Sequence, residues 1–305
     1  MKIYVEENDM IYNICSCPKN INIPTSDEEA YDLYENYHYI YNKLWLYQSQ
    51  DISSGTYKDT PLKTPVIVKP QFYKSTTNRY IIKYVEDIPY IPKNYFWTEI
   101  LEGKHYSIDI FYYNNEIEDY LAFEGIYNKK AFQHWELMKY FEIFINLRLW
   151  IRKHMKDFNG IFNIRLINDK ILNINLHMKH LNYLQGKCLT QKVICHYQGK
   201  GKNIKINKLP NLFIIPVIVG RGYYKEVSEE EIIKISRYYD CASMFTRYYQ
   251  IHSRNDFINK HYNCICTLVV TKLDVGLNIR DMILERYYSG FCRKLFIRYL
   301  ITWFF

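Results

Sequence analysis

The sequence predicts an α+β fold in which antiparallel sheets form most of the core and a smaller α/β unit follows toward the C-terminus. Two observations favour this class. Short alternating or continuous apolar runs that end at Asn, Gly or Pro are typical of strands and hairpins. Beyond about residue 210 the pattern changes to strand, helix, strand and helix.

The composition of the 305 residues fits packed domains rather than linker or low-complexity sequence. Hydrophobic residues are 48% and aromatic residues 17%, while the chain has only 11 Gly and 9 Pro. The 32 tyrosines, with many Ile, Asn and Lys, are what AT-rich codons produce. The length suffices for one large or two ordinary domains.

The formal net charge of +8 favours polyanionic partners without choosing among them. The densest basic run, GKGKNIKINK, has no interleaved aromatics, so we interpret it as a solvated loop and find no specific nucleic-acid signal. The eight cysteines include no CxxC pair, which favours a reducing intracellular compartment. No signal peptide is evident, and the longest apolar runs are shorter than the ~20 residues of a transmembrane helix.

The first half of the chain is predicted to alternate helices and strands. After a short N-terminal strand, a helix begins behind the capping Ser26 and continues or restarts through YIYNKLWLYQSQ. The runs TPVIVKP, RYIIKYV and YFWTEIL then predict strands, the first of them stopped by Pro70. YSIDIFYY and NNEIEDYLAFEG predict a hairpin that turns at Asn114 and Asn115.

The second half begins with the segment that predicts a helix most clearly, residues 132–158, which carries a broad apolar face. GIFNIRLI and KILNINLHM predict a hairpin that turns at Asn168 and Asp169. The C-terminal unit is expected to contain the strands LFIIPVIV and CICTLVVTKL and helices over residues 228–248 and 279–288.

The order of these motifs resembles the ATP-grasp superfamily, and within it a poorly characterised group from large DNA viruses and phages. TPVIVKP, FWTEILEGKHYSID and the GxxN hairpin carry the resemblance, which covers residues 39–179. It implies a two-lobed clamp with antiparallel sheets that binds ATP. The implied organisation is an N-terminal segment (1–38), a small lobe with a hinge (39–100), a large lobe (101–209) and a C-terminal α/β appendage with an aromatic tail (210–305).

The resemblance also assigns nucleotide-binding positions. Lys43 in YNKLW and Lys69 in VIVKP match the two lysines that bind phosphates in the family. The hinge, which should offer backbone groups to adenine, falls on Thr98, Glu99, Ile100 and Leu101. Where the family usually has an acid for the ribose hydroxyls, this chain has His105, which can still make one hydrogen bond.

The chain departs from the family at the phosphates and the metal. The segment after Pro70 reads QFYKSTTNR and lacks the glycines of the usual lid. The first metal-binding acid falls on Asn163 or Arg165, and the E-x-N motif reads Asn173-Ile174-Asn175, so Asn173 and Asn175 are the remaining metal-site candidates. Since Mg²⁺ normally takes carboxylate ligands, the loss of both acids argues against a magnesium site. We therefore expect Arg165 to neutralise phosphate directly.

Three functions stay open at this stage. The first is a degenerate ATP-grasp protein, a pseudoenzyme that binds nucleotide or merely keeps the fold and acts through a partner. The second is an active carboxylate-amine ligase that takes its acids from Asp109, Glu124 or Asp169, although Asp109 is also a candidate tie between strand and loop. The third is a structural or virion-associated protein that docks or self-associates through the C-terminal region, in host cytoplasm or virion. P-loop, GxGxxG, HExxH and G-x-S-x-G motifs are absent from the sequence.

Overall fold

The computed structural model describes residues 4–7, 10–13, 23–24, 26–72, 79–128, 131–180, 193, 196, 211–219 and 263–287. The predicted helix over residues 228–248, the basic run at residues 199–208, the tail after residue 287 and most of the lid segment lie outside these ranges.

The described residues of the N-terminal half form two helices and two 3-10 helices among their strands. In chain order these elements are β1 (Tyr4–Glu7), β2 (Met10–Asn13), α1 (Asp27–Leu33), a 3-10 helix (Glu35–Tyr41), α2 (Lys43–Gln48), β3 (Ser54–Gly55), β4 (Val66–Pro70), β5 (Tyr80–Ile82), a 3-10 helix (Val85–Tyr90), β6 (Tyr95–Glu99), β7 (His105–Tyr113) and β8 (Glu116–Asn128). The later elements are β9 (Ala131–Leu137), α3 (Ile145–His154), β10 (Gly160–Ile167), β11 (Lys170–Asn175), β12 (Phe213–Val219), β13 (Asn263–Val270) and α4 (Leu273–Tyr287).

The small lobe is a four-stranded antiparallel sheet in the order β3-β6-β4-β5. Val66 and Val68 alternate inward from β4 and pack with Ile82 and Trp97 in a local core. The opposite face of β4 carries Ile67 and Lys69, because side chains two residues apart in a strand share a face. This arrangement points Lys69 away from the local core.

The large lobe is built on a seven-stranded antiparallel sheet in the order β11-β10-β7-β8-β9-β12-β13. One face carries Ile108, Ile110, Phe162 and Ile164, which pack in the main core with residues of the 3-10 helix Glu35–Tyr41, α2 and α3. The described strands of the predicted C-terminal unit, β12 and β13, continue this sheet because β12 pairs with β9.

The helix predicted for residues 132–158 is wrong over its first half. Ala131–Leu137 forms β9, which pairs with β8 along its length, and the helix α3 covers only Ile145–His154. Pairing with the otherwise open edge of β8 satisfies a full row of backbone groups, and this tertiary gain outweighs the local apolar pattern. Ile145 and Leu149 of α3 are exposed, so the predicted apolar face does not lie wholly in the core.

Several local predictions are confirmed. Asn114, Asn115 and Asn168 adopt the left-handed conformation that their hairpin turns require, with φ of 50°, 62° and 50°. Ser26 caps α1 by accepting a hydrogen bond from the Glu29 N–H at 3.2 Å. The following helix restarts at α2 behind Asn42, whose side chain accepts from the Trp45 N–H at 3.2 Å. Among the described helices, none has the length and apolarity that crossing a bilayer demands.

Candidate phosphate-binding cleft

A polar stripe runs across the face of the large sheet opposite the main core. In the strand register Asn163 lies between Asp109 on β7 and Asn175 on β11, and Arg165 lies between Ser107 and Asn173. The structure therefore brings Arg165, Asn173 and Asn175 to one place, as their positions in the hairpin predict.

The amides of this stripe bond to their neighbours. Asn173 donates from Nδ2 to Asn175 Oδ1 at 2.7 Å. Asn163 donates from Nδ2 to Asp109 Oδ1 at 2.8 Å and to Ser107 Oγ at 3.0 Å. Asn163 and Asn175 are buried.

Asp109 ties β7 to the segment that follows β11. Its buried carboxylate accepts hydrogen bonds from the Asn163 side chain, from the Lys179 N–H at 3.2 Å and from the His180 N–H at 2.8 Å. The interpretation of Asp109 as a tie between strand and loop is confirmed, and its oxygens already have protein donors.

The other two candidate acids lie elsewhere. Glu124 pairs with Lys104 at 3.0 Å and stands opposite Tyr106, which belongs to the main core. Asp169 lies in the β10–β11 turn and accepts from Asn146 Nδ2 at 3.4 Å. Among the residues with described positions, no three His, Cys, Asp or Glu side chains converge as a metal site. The amides and the arginine of the polar stripe do not fit Mg²⁺, whose ligands are usually anionic oxygens.

Lys69 extends from β4 and lies against the aromatic side chain of Tyr47. Its Nζ donates to the Tyr47 hydroxyl at 2.5 Å and lies 4.0 Å from the centroid of the Tyr47 ring. Burial lowers the pKa of Lys69 well below its usual range, and the charges of Lys43 and Arg79 lower it further.

Lys43 is the first residue of α2, and its charge acts on Lys69. Burial lowers the pKa of Lys43 to about 8, with further lowering from Arg79 and Arg165 and an opposing effect from Asp27. The two lysines assigned by the resemblance therefore belong to one electrostatically coupled group.

Lys179 and Arg165 extend this group across the large sheet. Burial lowers the pKa of Lys179, as does Arg165, whereas Asp27 and Asp109 raise it. The Arg165 guanidinium carbon lies 5.8 Å from the Trp135 ring centroid, within range of a cation–π interaction. We call Lys43, Lys69, Arg79, Arg165 and Lys179 the cationic cluster.

Sequence reasoning missed Lys179 and Trp135 as parts of the site. Lys179 is brought there because the chain folds back onto Asp109 after β11. The sequence pattern predicts a helix at Trp135, whereas in β9 this residue lies opposite Gly125, and a Cβ added to Gly125 would lie 3.0 Å from the Trp135 ring. The local sequence carries no signal for either contact.

Two of the four predicted hinge residues contribute to the structure of the small lobe, and the other two have backbone groups without protein partners among the described residues. Thr98 is buried, and Glu99 accepts from the Ser53 N–H through Oε1 at 3.1 Å, so both stabilise the small lobe. Within the described chain, the backbone groups of Ile100 and Leu101 have no recorded hydrogen-bond partner. These groups are available to a ligand.

His105 begins β7 at the edge of the cleft. Its Nδ1 lies 3.1 Å from the Tyr127 hydroxyl. Burial lowers the pKa of His105, and the charge of Arg165 adds to that effect. A neutral imidazole here retains one nitrogen for a hydrogen bond, as the sequence suggests.

A separate cavity of about 350 Å³ lies on the other side of the large sheet, where it is lined by the end of α2, by α3 and by the β10–β11 turn. Its lining includes Ser49, Trp150 and Asp169 and contains no member of the cationic cluster.

Comparison with known proteins gives matches by structure only. No protein-family model matches the sequence, and no curated protein matches it. An L-amino acid ligase from Bacillus licheniformis superposes with a TM-score of 0.55 at 10% identity, covering 87% of this chain and 73% of that one.

Two nucleotide complexes are also similar in structure. N5-carboxyaminoimidazole synthetase from Staphylococcus aureus complexed with ADP superposes with a TM-score of 0.51 at 11% identity, covering 85% of this chain and 77% of that one. Carboxyaminoimidazole ribonucleotide synthase from Aspergillus clavatus complexed with ATP superposes with a TM-score of 0.50 at 11% identity, covering 80% and 74%. At these identities the likeness concerns the fold.

Proposed function

We propose that this chain, which has the ATP-grasp fold, binds the triphosphate of ATP in its cleft through the cationic cluster, without magnesium and with weak or no ligase activity. One observation carries the proposal: Arg165 lies between Ser107 and Asn173, where the ATP-grasp pattern places an acid, and its charge acts on Lys43 and Lys179. Lys43 and Arg79 act in turn on Lys69, while Asn173 and Asn175 offer amides.

The charge balance favours an uncomplexed triphosphate as the ligand. Phosphoryl transfer depends on cations that neutralise the phosphates, and Mg²⁺ normally supplies part of that charge. Here protein side chains supply it, since Arg165 and the lysines bear donors suited to phosphate oxygens. A triphosphate would also raise the pKa of the buried lysines, because a nearby anion favours the ammonium.

The small lobe provides a surface for the base. Ile67 shares the cleft face of β4 with Lys69, and its neighbour Ile81 is 45% exposed. Thr98 lies across from Ile67, and the open backbone groups of Ile100 and Leu101 follow directly. An apolar face beside free backbone donors and acceptors suits a purine. That proteins of similar fold were solved with ATP and with ADP supports a nucleotide as the ligand class.

Catalysis is not favoured by this arrangement. An acyl-phosphate ligase needs the metal ions that position and neutralise the transferred phosphoryl group, and neither amides nor Arg165 hold them. We infer that nucleotide binding acts through a partner, for which the region 210–305 is a candidate surface.

Calorimetric titration tests the proposal directly. ATP is titrated in EDTA and in Mg²⁺ into wild type, Lys69→Met and the control Lys83→Met, which removes an exposed lysine of the same lobe. We expect binding in EDTA, a loss of about tenfold or more for Lys69→Met because a charge-assisted contact disappears, and no change for Lys83→Met.

Binding that requires Mg²⁺ would contradict the metal-free site, and steady ADP release would show a working enzyme. A flat titration in every condition would instead favour the structural protein.

A further inference from the structure

An acidic side chain of the N-terminal helix is packed against the end of β11. The first turn of α1 carries Asp27, Glu28 and Glu29, but only Asp27 turns inward, with 17% of its side chain exposed. Ala30 is fully buried in the main core and fixes the helix in this orientation. The position of Asp27 is therefore set by packing.

Asp27 contacts the end of β11. Its Oδ1 lies 3.2 Å from His177 Nε2, and the His177 side chain is only 12% exposed. His177 Nδ1 lies 2.7 Å from the Met178 carbonyl oxygen, to which it donates. The contact with the carboxylate is therefore an ion pair when the ring carries its second proton. His177 stands two residues after Asn175, beside the polar stripe.

The charge of Asp27 reaches two members of the cationic cluster. Burial lowers the pKa of both Lys43 and Lys179, and Asp27 raises it in each case. Asp109 also acts on Lys179, but its oxygens accept three N–H donors that hold the backbone. Asp27 is thus a carboxylate at the end of β11 whose charge acts on both lysines.

We propose that Asp27 is a built-in counter-ion of the phosphate site, which repels a bound polyanion and sets the affinity of the cleft. The inference rests on the proposed function, since it names what opposes ligand binding there. Two anions that share the same lysines repel each other by Coulomb's law, and partial burial limits screening by salt. Removing the carboxylate therefore tightens phosphate binding, which is the opposite of the usual effect of damaging a site.

The test compares Asp27→Asn with Asp32→Asn, which removes the same charge from an exposed position of the same helix. Inorganic tripolyphosphate and ATP are each titrated in EDTA at low salt. We expect Asp27→Asn to bind both ligands about threefold to tenfold more tightly than wild type, and Asp32→Asn to stay within about twofold of it. Asp27→Ala gives a second variant, and circular dichroism melting confirms that each is folded.

The outcomes separate this inference from the proposed function. Unchanged or weaker binding in Asp27→Asn overturns the inference. Tripolyphosphate binding that tightens, with no preference for ATP, supports the counter-ion and refutes the nucleotide. If neither ligand binds any variant, both proposals fail.

Discussion

Lys43→Met is expected to stabilise the ligand-free protein at neutral pH. The substitution keeps an unbranched side chain but removes a buried charge that Arg79 and Arg165 oppose. A fall in the Lys43 pKa from 10.5 to about 8 is a fall of about 2.5 units. Each pKa unit corresponds to ~1.36 kcal/mol, so the charged lysine costs about 3 kcal/mol on folding. Because the Lys43 side chain is partly exposed, the expected gain in the free energy of unfolding of Lys43→Met is about 1–3 kcal/mol.

The sign of the pH dependence follows from proton binding. Between pH 8 and 10.5 the unfolded chain holds the Lys43 proton more than the folded chain does, so the wild-type free energy of unfolding rises with pH across that window. The advantage of Lys43→Met is therefore full below pH 8 and disappears toward pH 10.5.

Urea unfolding at several pH values between 7 and 10.5 measures the difference in stability between wild type and Lys43→Met. The control is Lys63→Met, which removes an exposed lysine. The reasoning is refuted if Lys43→Met is less stable than wild type at pH 7, or if the difference between them is the same at every pH. Lys63→Met should match wild type throughout.

Three further substitutions test the site and its support. Asp109→Asn should lower the free energy of unfolding by about 2–3 kcal/mol in urea unfolding, because a neutral amide cannot accept all three N–H donors. The exposed control is Asp32→Asn, and a loss of stability in Asp109→Asn smaller than in this control would contradict the prediction. Gly103→Ala should cost about 1–3 kcal/mol in the same assay, because φ is +142° and a Cβ would lie 2.1 Å from Asn168 Nδ2; wild-type stability would exclude that strain. Asn173→Glu should weaken ATP binding in EDTA by about tenfold, because the new carboxylate faces Arg165 across the strands, whereas Asn173→Gln should change it little; tighter binding in calorimetry would oppose the direct role of the arginine.

Much of the fold follows from local sequence. The Asn114–Asn115 turn and the cap at Ser26 were predictable because each depends on the conformational preference of one or two residues. The positions of Lys43 and Lys69 were assigned from motif order, and the structure places both in the cationic cluster.

Other features depend on contacts between distant segments. Residues 132–137 pair as β9 because β8 offers an open edge, and that pairing brings Trp135 over Arg165. The described C-terminal strands continue the same sheet, which no local pattern indicates.

Local residue order specifies the hairpins, the alternation of apolar faces and the residue types that replace the acids. Which charges lie near one another depends on how distant segments pack. Asp27 and Lys179 are far apart in the chain and converge because α1 docks through Ala30 and the segment after β11 bonds to Asp109. Electrostatic interactions depend on distance in space and on burial, and neither quantity can be read from sequence separation.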